Sequence, residues 1–275
     1  AGDTAHLFYA VEAQDLQLLG YGTPEAKSMT LSFWVKSNKT GNATATLMLP
    51  DASYKLISAQ YTVNNADTWE YKVITVLGDT ANNIENNNGL GLEIEFWMNT
   101  GSNHSSGSHQ TTWSSYSIGN RSPSNLGVGG AVNDYFQITG VQLELGKVAT
   151  PFEHRSYGEE LALCQRYYIQ GGGGAYADLL GGQGFNITTT ICSMKTYLPV
   201  VMRAQPTFSY TGTPRVQNGQ AGFALSNLIG SFPSGSEGKL NMFNMAGTSS
   251  GLTLHQPMNL DANAGGGFVK LDAEL

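Results

Sequence analysis

Along the first half of the chain, apolar and polar residues alternate one by one. In Met29 to Ser37, the side chains of Leu31, Phe33 and Val35 fall on one side of an extended backbone and Thr30, Ser32, Trp34 and Lys36 on the other, which is the period of a half-buried strand. Leu90 to Met98 repeats the scheme, with Leu90, Leu92, Ile94, Phe96 and Met98 opposed to Glu93, Glu95 and Trp97. The same pattern predicts strands over Thr44 to Leu49, Tyr54 to Val63, Trp69 to Leu77, Thr111 to Ile118 and Tyr135 to Leu145. Around Gly140 the alternation slips, with Phe136 and Ile138 apolar before it and Val141, Leu143 and Leu145 after it. A β-bulge at Gly140 would turn both sets towards the core. Clusters rich in Asn, Ser and Gly at 37–42, 86–89 and 101–107 read as turns. Roughly seven strands at this spacing predict a two-sheet β-sandwich of jelly-roll type.

After Pro151 the period changes. Ser156 and Glu159 have the spacing of a capping box, and Leu161, Cys164 and Tyr168 are expected on one face of a short helix. Beyond it, Gly171 to Gly174 and a series of short apolar stretches separated by Gly and Pro predict a second, smaller β-sandwich. The expected organisation is therefore all-β: a jelly roll over 1–152, a connector with a short helix over 153–170 and a β-rich domain over 171–275.

Composition agrees with a strand-and-turn protein: 34 Gly, 13 Tyr, 11 Phe and only 13% charged residues. The net charge of −7 and the lack of any Lys- or Arg-rich run argue against a nucleic-acid partner. No apolar run reaches the ~20 residues that cross a bilayer, and the first residues lack the basic start of a signal peptide, so a soluble protein without membrane insertion is expected. Cys164 and Cys192 are too few for a disulfide scaffold and are expected as partly buried free thiols. With no initiator Met, the chain is expected to derive from a longer parent.

Candidate chemistry concentrates on the polar faces of the two best strands. If they neighbour one another, Trp34 and Trp97 share a face with Glu93 and Glu95, offering aromatic planes for sugar rings and carboxylates for their hydroxyls. Trp69 and Trp113 are further glycan-binding candidates. The alternative is that these tryptophans only pack against a loop or another protomer. Glu93 and Glu95 also resemble the start of the E-x-D-x-x-E strand of laminarinase-type hydrolases, but Trp97 and Met98 stand where the proton-donating Glu would come. No catalytic residues are therefore assigned, since retaining hydrolysis needs both an acid and a nucleophile. His104 and His109 lie five apart in an Asn- and Ser-rich loop without acidic neighbours, which reads as a surface loop rather than a metal site. Asp3, Asp15 and Asp134 are the residues for a calcium ion, although no D-x-D-x-D-G loop is present, so no cofactor is expected beyond that option. Gly171 to Gly184 lacks the G-K-[ST] of a phosphate loop, and no G-x-S-x-G elbow accompanies His6, His154 or His255.

The string ITGVQLELG from Ile138, followed by ATPFEHRSYGEELALCQRYY from Ala149 to Tyr168, resembles a junction of bacteriophage tail-fibre and virion structural proteins, especially of marine phages. SFWVKSNKTG from Ser32, WEYKVITVLGDT from Trp69 and NNGLGLEIEFW from Asn87 are similar to the carbohydrate-binding-module-like jelly roll that precedes it. LPVVMRAQPT from Leu198 and the final GGFVKLDAEL resemble the C-terminal domains that follow it. The resemblance implies a protein exposed on the virion, assembled in the host cytoplasm among other virion proteins, probing host surface polysaccharide and forming a homotrimer. It also leaves open a capsid decoration or head fibre of purely structural role. Leu161, Cys164 and Tyr168 would then pack about a threefold axis, with Arg155 and Arg166 pairing with Glu153, Glu159 or Glu160 at its rim.

Overall fold

In the computed structural model, which describes residues 3–232 and 242–275, the chain divides into two compact units, 3–154 and 155–274. The first is built from β1 (Thr4–Glu12), β2 (Met29–Ser37), β3 (Gly41–Leu49), β4 (Lys55–Val63), β5 (Glu70–Val76), β6 (Leu90–Thr100) and β7 (Phe136–Leu145), with one helical turn, α1 (Ser102–Ser105). These strands form two antiparallel sheets, ordered β1-β6-β3-β4 and β5-β2-β7, which face each other as a β-sandwich.

The alternation read from the sequence explains that pairing. Met29, Leu31, Phe33 and Val35 of β2 meet Ala43, Ala45, Leu47 and Leu49 of β3 and Leu92, Ile94 and Phe96 of β6 in one buried cluster. Phe33 bridges the sheets, packing edge-on against Tyr61 at 5.2 Å and Phe96 at 5.0 Å between ring centroids. Each such buried side chain contributes about 1.5–3 kcal/mol by leaving water.

The slip near Gly140 is a bulge. Ser32 of β2 pairs with Gln142 but Trp34 pairs with Thr139, and Gly140 takes φ +58°. Phe136, Ile138 and Leu143 pack on the core, whereas Val141 and Leu145 remain exposed, so the bulge turns in three of the five apolar residues expected there.

The strand expected over Thr111 to Ile118 does not form. One isolated bridge joins Ser114 to Leu56. The long segment between β6 and β7 instead lies across the outer face of the four-stranded sheet, held by side chains and by isolated backbone bonds to Leu56 and Ser58 of β4 rather than by a ladder. Thr44 Oγ1 accepts from Ser124 N at 3.1 Å, and Thr46 donates to the Arg121 carbonyl. This cover buries Thr44 and Thr46 although both point away from the core.

The second unit opens with α2 (Tyr157–Gln165) and continues through β8 (Tyr168–Gly172), β9 (Asp178–Asn186), β10 (Ile191–Tyr197), β11 (Thr207–Gln217), β12 (Gly222–Ala224), β13 (Asn227–Ser231), β14 (Met242–Thr248) and β15 (Pro257–Asp272). The capping box is made: Ser156 N donates to Glu159 Oε2 at 2.9 Å and Glu159 N to Ser156 Oγ at 3.4 Å. Tyr168 is not on this helix, because the helix ends at Gln165 and Tyr168 pairs with Asp272 across β8 and β15. No helix residue is buried, and Leu161 and Cys164 are exposed. Cys164 is thus an open thiol, whereas Cys192 lies in the core of the unit.

The eight strands make one antiparallel sheet, ordered β12-β11-β15-β9-β10-β14-β13, with β8 also on β15. It curls into a half-barrel around Met194, Phe243, Met245, Leu260 and Leu271. Gly230 permits that curl. A Cβ there would meet Phe243 at 2.3 Å and Phe208 at 2.5 Å, so only hydrogen at this point lets β11 approach the opposite end of the sheet.

Candidate functional site

Trp34 and Trp97 do not share a face. β2 pairs with β5 and β7, while β6 pairs with β1 and β3, so the two indoles point outwards from opposite sheets with the core between them. Both strands alternate so clearly because each turns one face to the core between the sheets.

On the β6 side, the expected sugar-facing residues are interior. Trp97 is 1% exposed and Glu95 fully buried, and Trp97 Nε1 donates to Glu95 Oε2 at 3.2 Å. Arg121, from the covering segment, donates through both Nε and a terminal nitrogen to the two Glu95 oxygens and stands 5.2 Å from the centre of the Trp97 ring. His6 stacks on Trp97 at 4.5 Å, and His104 lies 5.5 Å away. The reason for this burial is the covering segment, whose Arg121 pairs with the buried carboxylate of Glu95. His104 is therefore part of a packed cluster, and its Nδ1 is buried without a partner. His109 bonds Ser58 O at 2.9 Å and Ser124 Oγ at 2.8 Å.

The electrostatics follow from this packing. Burial and then the Arg121 charge hold His6 below the ordinary imidazole range, against a smaller pull from Glu93. Burial, Arg121 and His6 lower His104 in the same direction. The 3.7 Å approach of His6 to Glu95 thus involves a neutral ring. Glu93 is half-buried, and its carboxyl is raised by burial and by neighbouring Glu95. A raised carboxyl suits an acid, but its partner Glu95 is committed to Arg121 and closed from solvent.

Among the described residues, no group of three or more His, Cys, Asp or Glu is arranged to hold a metal ion. Asp134, one of the three calcium candidates, pairs with Lys39 at 3.0 Å.

On the other sheet, the outer face of β5-β2-β7 is open and aromatic around Trp34 and along β5, while Thr30 and Ser32 of β2 are buried. Trp34 of β2 stands opposite Tyr71 of β5 in the ladder, ring centroids 5.3 Å apart, and both are exposed. Val73 continues the face along β5, and Trp69, also exposed, precedes that strand by one residue. A fourth ring comes from beyond β7. Gln142 Oε1 accepts from Glu153 N at 2.8 Å and Glu144 Oε2 accepts from Thr150 N at 3.0 Å, which draws 150–153 back over the strand. Bonds from Thr150 and Gln142 lower the Glu144 carboxyl, so it is held ionised in this role. Phe152 and Trp34 then both stand over Gly140: a Cβ on Gly140 would be 3.3 Å from Trp34 Cδ1 and 3.8 Å from Phe152 Cδ2.

Of the sequence-stated candidates, Trp34 and Trp69 are on this surface. Trp113 is half-buried against the core, edge-on to Tyr21 at 6.0 Å, and its Nε1 donates to the Leu77 carbonyl at 3.0 Å. Tyr71 and Phe152 were absent from the expectation. Tyr71 had a signal, since it shares the parity of Trp69 in the alternating stretch, but Phe152 is placed by side-chain bonds that no periodicity reports.

Exposed rings with polar neighbours Lys36, Gln137 and Thr139 make a shallow platform able to stack on the apolar face of a sugar and to bond its hydroxyls. Set against known proteins, the chain matches no family model and no curated sequence, so the meaning of this platform rests on its own geometry.

Proposed function

We propose that the first unit is a non-catalytic carbohydrate-binding module and that the chain is a surface or fibre-type protein of a bacteriophage particle, holding host polysaccharide on the outer face of β5-β2-β7. The observation that carries the binding reading is the opposed pair Trp34 and Tyr71, exposed at 41% and 42%, with Phe152 beside them. Large aromatic rings left open on a sheet face, flanked by polar groups, suit sugar stacking. The virion setting is supported by the resemblance of residues 138–168 to the phage junction. The non-enzymatic reading is supported by the fork of Arg121 on Glu95, which leaves Glu93 without a second accessible carboxyl.

A glycan array probed with the purified protein tests this directly. Binding to a restricted set of polysaccharides is expected, with Trp34→Ala and Tyr71→Ala losing it while thermal melting stays close to wild type. Silence across the array, together with virion adsorption unaffected by Trp34→Ala, would sink the proposal.

A second reading, a structural subunit of a coat or fibre, is favoured by the open apolar surface of α2, where Tyr157, Leu161 and Leu163 are exposed. Homotrimer formation through α2 belongs to either reading. Sedimentation of wild type and Leu161→Glu tests it, and a trimer indifferent to the charge would place the contact elsewhere.

A further inference from the structure

The distribution of cations on the first unit extends the carbohydrate reading, on which this inference rests. Residues 3–154 contain six lysines and one arginine: Lys27, Lys36, Lys39, Lys55, Lys72, Lys147 and Arg121. Three of them are taken by carboxylates: Lys39 by Asp134 at 3.0 Å, Lys72 by Glu70 at 2.6 Å and Arg121 by Glu95. Among the described residues, Lys27, Lys36, Lys55 and Lys147 have no ion pair. Lys55 begins β4 in the other sheet. Of the remaining three, Lys36 is on β2, and Lys27 and Lys147 lie two residues outside the ends of β2 and β7, in the sheet that carries the aromatic platform.

Their placement is ordered. Lys36 is two residues beyond Trp34 on the same outward side of β2 and pairs with Gln137 of β7. Lys27 and Lys147 flank an open groove of about 600 Å³ at the other end of the sheet, where β2 starts and β5 and β7 stop. Ala26, Ser28, Leu77, Gly78, Leu145 and Gly146 complete its lining, which contains no acidic side chain. Thr30 Oγ1 donates to the Gly146 carbonyl at 2.8 Å and Thr75 Oγ1 to the Lys147 carbonyl at 3.4 Å. These outward threonines tie the turn that bears Lys147 to the end of the platform face. The nearest acid on that face, Glu144, is occupied by Thr150.

We infer that the ligand of this face is an anionic polysaccharide, one bearing sulfate or carboxylate groups, laid along β5 from the aromatic patch to the lysine groove, past Val73, Thr75 and Leu77, which are exposed where Ser32 and Thr30 of β2 are buried. From Tyr71 to Leu77 the chain runs about 20 Å at ~3.3 Å per residue, the length of a short oligosaccharide. Stacking on Trp34, Tyr71 and Phe152 holds the sugar planes, while Lys36 at one end and Lys27 with Lys147 at the other meet the charged substituents. In a chain of net charge −7, three unpaired ammonium groups on and at the end of one sheet are a local reversal of sign, and they favour an anion over the neutral form of the same sugar.

The test is titration calorimetry of the full chain with three probes of equal length: laminarin oligosaccharides, their sulfated derivative and alginate oligosaccharides. The sulfated or the uronate probe is expected to bind more tightly than neutral laminarin, and which of the two wins names the substituent. Lys27→Ser with Lys147→Ser is expected to lower that affinity by about tenfold, with Lys55→Ser as the charge control leaving it unchanged. Equal binding of neutral and anionic probes, or an unchanged affinity in the double variant, would overturn the anionic assignment while leaving carbohydrate binding in place. Failure of all three probes to bind wild type would overturn both.

Discussion

Arg121 reaches Glu95 from the far side of a 26-residue excursion and donates to both of its carboxyl oxygens, closing the covering segment onto β6. Glu95 is fully buried and Arg121 largely so. Removing one member of such a pair leaves the other's charge stranded. Arg121→Ala is therefore expected to destabilise the protein by about 3 kcal/mol, read by urea unfolding. Arg121→Met with Glu95→Gln should cost less than the sum of the single changes, and strict additivity would show that the two groups do not act together.

The same cluster makes stability depend on pH. His6 and His104 are both lowered from 6.5 in the folded state, by burial first and by Arg121 second. The unfolded chain thus takes up protons that the folded chain refuses, and stability falls as pH drops through 6.5 towards the lower folded values. Glu93 works the other way, because its raised folded pKa favours folding while it is protonated, a contribution lost as pH rises through that value. Melting temperature measured from pH 8 downwards should begin to fall near 6.5, and His6→Asn with His104→Asn should flatten that part of the curve. A curve as steep in the double variant would place its origin outside these rings.

Glu70 gives a second, more acidic window. Burial alone would raise its carboxyl, but bonds from Lys72 and from the backbone and side chain of Asn64 and the backbone of Asn65 outweigh it and bring the group down to about 2. A depressed carboxyl stabilises the fold above its ordinary value of 4.5, and that stability fades as pH falls from 4.5 towards 2. Glu70→Gln should melt below wild type at neutral pH and approach it in strong acid. A constant gap at every pH would contradict the charge-based account.

Gly140 links the bulge to the platform. An alanine there would carry φ +58° with its Cβ 3.3 Å from Trp34 Cδ1. The left-handed backbone costs a non-glycine residue about 1–2 kcal/mol, and the contact would push the indole off its present position. Gly140→Ala should lower stability by that amount and shift tryptophan emission. Normal emission with normal glycan affinity would separate the bulge from the binding face.

The strands and the bulge were legible because period two follows directly from which face meets the core, as Leu31, Phe33 and Val35 show. What escaped was pairing. Nothing in the alternation of Met29 to Ser37 or Leu90 to Met98 says that the strands lie in different sheets, so Trp97 read as a partner of Trp34 when it is the buried neighbour of His6 and Arg121. Polar strand faces look alike whether solvent or a folded segment covers them. The segment over Trp97 is held by hydroxyls and a guanidinium spread over residues 104–124, a pattern with no period. Phe152 was hidden for the same reason, since Gln142 and Glu144 place it by bonds to the backbone.

The position of β15 in the half-barrel has a consequence for how the second unit is made. β15 is the last strand in the chain yet it pairs with β8, β9 and β11, so β8 finds its partner only after about a hundred residues have been synthesised beyond it. Until then β11 and β12 have no connection to β9, β10, β14 and β13 through the sheet. A nascent chain stalled before β15 would expose two separate fragments with open edges, and those edges are where chaperones, proteases or a neighbouring chain would reach it first.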